Sequence, residues 1–204
     1  MKEFNGWWPL SPKPGNFGDI MTPWLLQKKF DIKLNWVNRP LPSQGLFCIG
    51  SILNATNENS VVWGSGAISR QAKPHPSAKY LAVRGPLSRE LVVENGGDCP
   101  EIYGDPAIIC KEVYNPHIEK KYKYGVFPHY VDHAYCAKRF DNPDILVINP
   151  LTDDIEKTIN QIVQCECIIT SSLHGWIVAH TYDIPAALVK FSDKLAGDGL
   201  KFAD

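Results

Sequence analysis

The sequence predicts an α/β fold with parallel sheets, divided into two units. Three observations carry this. Short apolar runs alternate with helix-patterned segments from end to end, as in a parallel sheet flanked by helices. The runs are apolar on both faces, as strands covered on both sides require. A charged, aperiodic stretch containing Pro116, "CKEVYNPHIEKKYK" at residues 110–123, interrupts the pattern. It predicts one unit over 1–115 and a second over 121–204. A single continuous sheet satisfies the same pattern.

In chain order, the predicted strands are "LNWVN", "LFCIGSI", "SVVWGSG", "KYLAVRG", "YKYGVF", "ILVIN", "CIITS" and "AALVKF". Two helices are well signalled. In "TPWLLQKKF" Thr22 is placed to cap and Pro23 falls at the first helical position, where its missing N–H costs nothing. In "TDDIEKTINQIVQC" Thr152 or Asp153 caps the start, and Ile155, Ile159, Ile162 and Val163 share one face.

Composition narrows the class. The 204 residues carry a formal net charge of −1 with 21% charged residues, so no polyanionic partner is demanded. The opening "MKEFNGWWPLSPKPG" has no apolar core of a signal peptide, and no run approaches the roughly 20 residues that span a bilayer. A cytoplasmic location is expected, the host cytoplasm if the gene is viral. Of the six cysteines, only Cys165 and Cys167 are close. No C-x-x-C pair or histidine cluster completes a metal set, so no metal is expected and the thiols read as reduced and mostly buried.

The polar breaks between apolar runs hold the candidate chemistry. "IITSSLHGWIVAH" (168–180) reads as a strand, a turn and a helix. Ser171 and Ser172 lie at the helix N-terminus, where free N–H groups and the dipole favour an anion. Gly175 permits close approach, and His174 in the first turn can contact phosphate or exchange a proton. The same residues also serve a plain helix cap. "PGNFGDIMT" (14–22) offers Asn16, Gly18 and Asp19 to a ligand, or folds as a locally bonded turn. "VVWGSGAIS" (61–69) runs a strand into Ser65 and Gly66, without the third glycine of a dinucleotide fingerprint. "LAVRGPLSREL" (81–91) puts Arg84 at a strand's carboxyl end. There its guanidinium suits a carboxylate or phosphate, or an internal ion pair such as one with Glu90. Asp105 in "YGDPAII" reads as a turn carboxylate. "GVFPHYVDH" (125–133) offers His129, Tyr130, Asp132 and His133.

Together these motifs resemble the polysaccharide pyruvyl transferase family. The matching pieces are "NFGD", "WGSGA", "VRGPLSRE", "YGDPA", "GVFPHYVD", the long block 148–185 and "SDKLAGDGLKFAD". The resemblance implies two facing Rossmann-like domains of glycosyltransferase-B-like form, here in a compact version. It implies transfer of pyruvyl from phosphoenolpyruvate to a sugar or glycan acceptor, usually as a cyclic ketal with release of phosphate, and no cofactor. It maps the family's donor-anion arginine onto Arg84 and its Leu-His-Gly histidine onto His174. Asp19 and His129 are the candidates for the base. Ser172 stands where some members carry arginine. The alternative is a small glycosyltransferase using a nucleotide sugar, its acceptor a glycan or a modified DNA base of the phage type. Nucleic acid is not signalled by the near-neutral charge, and the sequence is silent on oligomeric state. A binding protein that keeps the fold without turnover is a third reading.

Overall fold

A computed structural model describes all 204 residues, Met1–Asp204. The chain forms two compact units. The first comprises Met1–Trp8, Thr22–Pro106 and Ala196–Asp204; the second comprises Pro9–Met21 and Ala107–Leu195. The sequence signalled one boundary, near residues 110–123; the chain changes unit after Trp8, after Met21, after Pro106 and after Leu195.

The first unit holds a five-stranded sheet of β1 (Lys2–Gly6), β2 (Ile32–Trp36), β3 (Gly45–Phe47), β4 (Ser60–Trp63) and β5 (Lys79–Ala82). The order is β2-β1-β3-β4-β5 and every pair is parallel. One apolar cluster gathers Phe47, Leu53, Val62, Val83, Leu91 and Val92; a second gathers Trp8, Leu26 and Leu34. The second unit holds β6 (Tyr122–Phe127), β7 (Ile145–Val147), β8 (Cys165–Thr170) and β9 (Ala186–Leu188), ordered β7-β6-β8-β9 and again all parallel. The two sheets share one winding. In each, the first strand lies between the second and the third, so the strand order reverses beside it. Such a reversal, at the carboxyl ends of the first and third strands, is where open α/β sheets generally bind ligands.

Helix α1 (Phe17–Phe30) begins five residues before the expected Thr22 cap. Asn16 starts it, its Oδ1 accepting the Gly18 N–H at 3.0 Å. Pro23 therefore lies inside the helix, and Thr22 turns its hydroxyl to the core, accepting the Ile49 N–H at 3.0 Å. Helix α2 (Pro86–Glu94) has proline in its first turn, where its missing N–H costs nothing. Short α3 (Cys110–Val113) and α4 (His133–Arg139) precede α5 (Ile155–Val163). Asp154, rather than Thr152 or Asp153, caps α5, accepting the Lys157 N–H at 2.9 Å. Ile155, Ile159 and Ile162 are buried; at about 1.5–3 kcal/mol for each side chain removed from water, this face fastens α5. Helix α6 (Leu173–Thr181) follows β8, and α7 (Leu200–Ala203) closes the chain. No helix is long and apolar enough to cross a membrane.

All six cysteines are free, and only Cys167 is not fully buried. Burial pushes the Cys136 thiol up to about 11 and the Cys165 thiol up to about 12. Their native forms stay protonated through pH 8, and only a thiolate is alkylated quickly. Alkylation at pH 8 should therefore label at most Cys167 in the folded protein and all six thiols after denaturation, counted by mass spectrometry. The sign for stability follows. Between the ordinary thiol value of 9.0 and about 12 the unfolded chain loses Cys165's proton while the folded chain keeps it. Alkaline pH in that window therefore weakens the fold.

Candidate functional site

Four segments of the second unit meet at the carboxyl edge of its sheet. The loop before α1 is stitched there by an isolated antiparallel bridge between Asn16 and Leu151. Gly15 N–H donates to Thr152 O at 3.1 Å and Thr152 N–H to Gly15 O at 2.8 Å. Phe17 then packs edge-on against Phe127 at the end of β6, 5.5 Å between ring centroids. These contacts bring Gly18 under the first turn of α6. A side-chain carbon at Gly18 would lie 2.0 Å from Nδ1 of His174 and 2.5 Å from its Cγ. The imidazole thus packs against the Gly18 backbone, at 9% exposure. Asp19, half-buried in the first turn of α1, is the next residue along.

The serines of the turn have internal partners. Ser172 is the N-cap of α6, its Oγ accepting the Gly175 N–H at 3.4 Å. Ser171, fully buried, accepts the His129 N–H at 2.8 Å and so ties the loop after β6 to the turn after β8. Gly175 is small for packing rather than for a ligand: a Cβ there would lie 2.5 Å from the Phe127 ring and 2.7 Å from Thr170 Oγ1. The His129 ring stacks at a tilt on Tyr130, 4.3 Å between centroids, and its Nδ1 accepts the Val131 N–H at 3.4 Å. Asn16, Gly18, Asp19, His129, Ser171, Ser172, His174 and Gly175 thus gather in one unit, at the strand reversal between β6 and β8.

Ser65, Gly66 and Arg84 gather in the other unit. Ser65 Oγ donates to Cys48 O at 2.5 Å. Gly66 makes room for the arginine: a Cβ there would lie 2.2 Å from the Arg84 Cζ. Arg84 is 6% exposed. It donates to Ser51 Oγ at 2.9 Å and to Ala67 O at 3.0 Å, and pairs with Asp204 Oδ2 at 3.1 Å, while its Nε is buried without a partner. Burial pulls the guanidinium below its ordinary range, opposed by the charges of Asp204 and Asp105. Its ion-pair partner is Asp204, not Glu90, which instead bridges Arg70 at 2.8 Å.

Asp204 has a second task. Gly85, the N-cap residue of α2, has no side chain to satisfy that helix's first N–H groups. Asp204 supplies the cap from the far end of the chain, accepting the Ser88 N–H at 2.8 Å and the Ser88 Oγ–H at 2.6 Å. No local sequence signal pairs residues 116 positions apart. Asp132 and Ser192 were given no role by sequence reasoning, although each stands in a quoted motif, "GVFPHYVDH" and "SDKLAGDGLKFAD".

A histidine in the first turn of a helix, at the strand reversal of an all-parallel sheet, stands where α/β enzymes commonly place their sites. A profile of the polysaccharide pyruvyl transferase family matches residues 38–192. The chain belongs to that family and is a transferase. It is 30% identical over 201 residues to the uncharacterized protein L143 of Acanthamoeba polyphaga mimivirus, covering 94% of this chain and 70% of that one. It is 28% identical over 196 residues to the succinoglycan biosynthesis protein ExoV of Rhizobium meliloti (strain 1021), covering 89% of this chain and 58% of that one. The chain therefore spans less than two thirds of the second relative's length. No solved structure matches.

Proposed function

We propose that this transferase moves a pyruvyl group from phosphoenolpyruvate to two hydroxyls of a sugar, giving a cyclic ketal and inorganic phosphate. The observation that carries the reading is the seating of His174. Its imidazole stands on the Gly18 backbone in the first turn of α6, at the strand reversal of the second unit's sheet.

The chemistry needs a proton at the donor's methylene carbon. Protonation there makes the neighbouring carbon electrophilic, and the phosphate on that carbon then departs. An imidazole at a helix N-terminus suits both demands. It exchanges protons near neutral pH, and the dipole and N–H groups beside it favour the phosphate's charge. Asp19 and His129 are the residues the sequence offered for removing the acceptor's proton. Arg84 enters only as the donor contact the family resemblance implies, since both of its terminal nitrogens already have protein partners.

The test is thermal stabilisation. At a hundredfold excess over its dissociation constant a ligand stabilises by about 2.7 kcal/mol. Phosphoenolpyruvate should raise the melting temperature, while UDP, GDP and CMP should not. A shift with a nucleotide and none with phosphoenolpyruvate would replace this reading with a nucleotide-sugar glycosyltransferase.

A further inference from the structure

Resting on that reading, we infer that Asp132 is the carboxylate that binds the acceptor's hydroxyl and takes its proton. Asp132 is 2% exposed. Its Oδ1 accepts the Ser192 Oγ–H at 2.5 Å. Its Oδ2 is buried with no hydrogen-bond partner. A buried acceptor left without a donor costs about 1–3 kcal/mol, and more when charged, so a hydroxyl that reached this oxygen would be held by it.

Capping does not account for it. Asp132 immediately precedes α4, yet its side chain makes no cap hydrogen bond there. Its location has a different logic. It lies in the loop after β6, three residues beyond His129, whose N–H holds Ser171 of the turn that carries His174. Ser192 arrives from the segment after β9. Because the strands are parallel, these segments all emerge at the sheet's carboxyl edge.

The charge selects the ligand. A carboxylate repels the phosphate and carboxylate of phosphoenolpyruvate, so the donor is not what Oδ2 awaits. A sugar hydroxyl supplies the missing O–H. In the first addition the acceptor's O–H bond breaks and its proton passes to Asp132 Oδ2. The freed oxygen bonds the donor's central carbon, and the methylene carbon takes a proton from His174. In ring closure the second hydroxyl's oxygen displaces phosphate, which leaves with the carbon–oxygen bond pair. Two hydroxyl protons are released and two are consumed, one in the new methyl group and one on the departing phosphate.

The experiment compares wild type, Asp132→Asn and Ser192→Ala. It uses phosphoenolpyruvate with the methyl pyranosides of glucose, galactose and mannose, each a 4,6-diol. Asparagine keeps the shape and the Ser192 hydrogen bond but is no base. Phosphate release by Asp132→Asn should fall by at least about a hundredfold, the usual contribution of a general base, with its thermal shift by phosphoenolpyruvate unchanged. Ser192→Ala, which removes only the group that orients the carboxylate, should mainly raise KM for the pyranoside. Release by Asp132→Asn within threefold of wild type overturns the inference. So does loss of the thermal shift in Asp132→Asn, which would make the carboxylate structural. A wild type that phosphoenolpyruvate fails to stabilise overturns the pyruvyl-transfer reading itself, and the base role with it. A wild type that binds phosphoenolpyruvate but releases phosphate with none of the three diols overturns the base role alone.

Discussion

Gly18→Ala is expected to abolish phosphate release as fully as His174→Ala, by at least about a hundredfold. Helix propensity argues the other way. Gly18 lies in the first turn of α1, and alanine is a better helix former than glycine by about 0.5–1 kcal/mol. On local energetics alone the substitution is benign. The new methyl carbon, however, would stand 2.0 Å from His174 Nδ1 and 2.7 Å from Cε1, well inside van der Waals contact. The obstacle is a ring in the first turn of α6, fixed by a helix whose cap is Ser172, and it has to turn away. The melting temperature then falls by only a few degrees, the effect of the roughly 1–3 kcal/mol usual for over-packing a buried contact, while turnover disappears. The double variant Gly18→Ala/His174→Ala should be no slower than either single one, because both remove the same group. Phosphate release by Gly18→Ala within threefold of wild type would detach the imidazole's seat from catalysis.

Asp204→Ala is expected to lower unfolding stability by about 3–5 kcal/mol, the usual cost of breaking a buried ion pair by removing one partner. Both side chains of the Arg84–Asp204 pair are almost fully buried, at 4% and 0% exposure. The substitution strips the guanidinium of its counter-ion and α2 of its remote cap together. Arg84→Ala should be milder, since the orphaned carboxylate keeps both Ser88 donors. Denaturant midpoints for the two variants, with donor-binding constants alongside, separate two roles for Arg84. A lowered midpoint with unchanged affinity for phosphoenolpyruvate marks Arg84 as structural. Unchanged midpoints with weakened donor affinity would return it to the donor site that the family resemblance assigns.

The α/β class and the all-parallel sheets were legible because strands covered on both faces are apolar along their whole length, and eight of the runs named from sequence overlap the strands found. The ninth, β1, was missed for a physical reason. "KEFNG" is mostly exposed and charged, yet it sits between β2 and β3 in the sheet. Its backbone pairing stabilises it where its side chains give no signal. The start of α1 was misplaced because Thr22-Pro23 imitates a helix start. The true start at Asn16 depends on bonds to Pro150 and Thr152, far along the sequence.

The motif residues show the same division. The sequence singled out the Ser-Ser-Leu-His-Gly turn as a polar break between two segments that want burial. It left open whether the serines cap the helix or bind a ligand, and in the fold they cap and brace. By itself, then, the sequence determined eight of the nine strands, the α5 helix and the family, and singled out His174 as a candidate, because periodicity, capping chemistry and motif spacing are local properties of the chain. Only the tertiary structure decided that Gly18 packs against that histidine, that Arg84 is balanced by Asp204, and that one buried oxygen of Asp132 lacks a hydrogen-bond partner. Each of these is a meeting of residues distant along the chain. It is fixed by packing and by the cost of burying an unmatched polar atom, neither of which short-range pattern encodes.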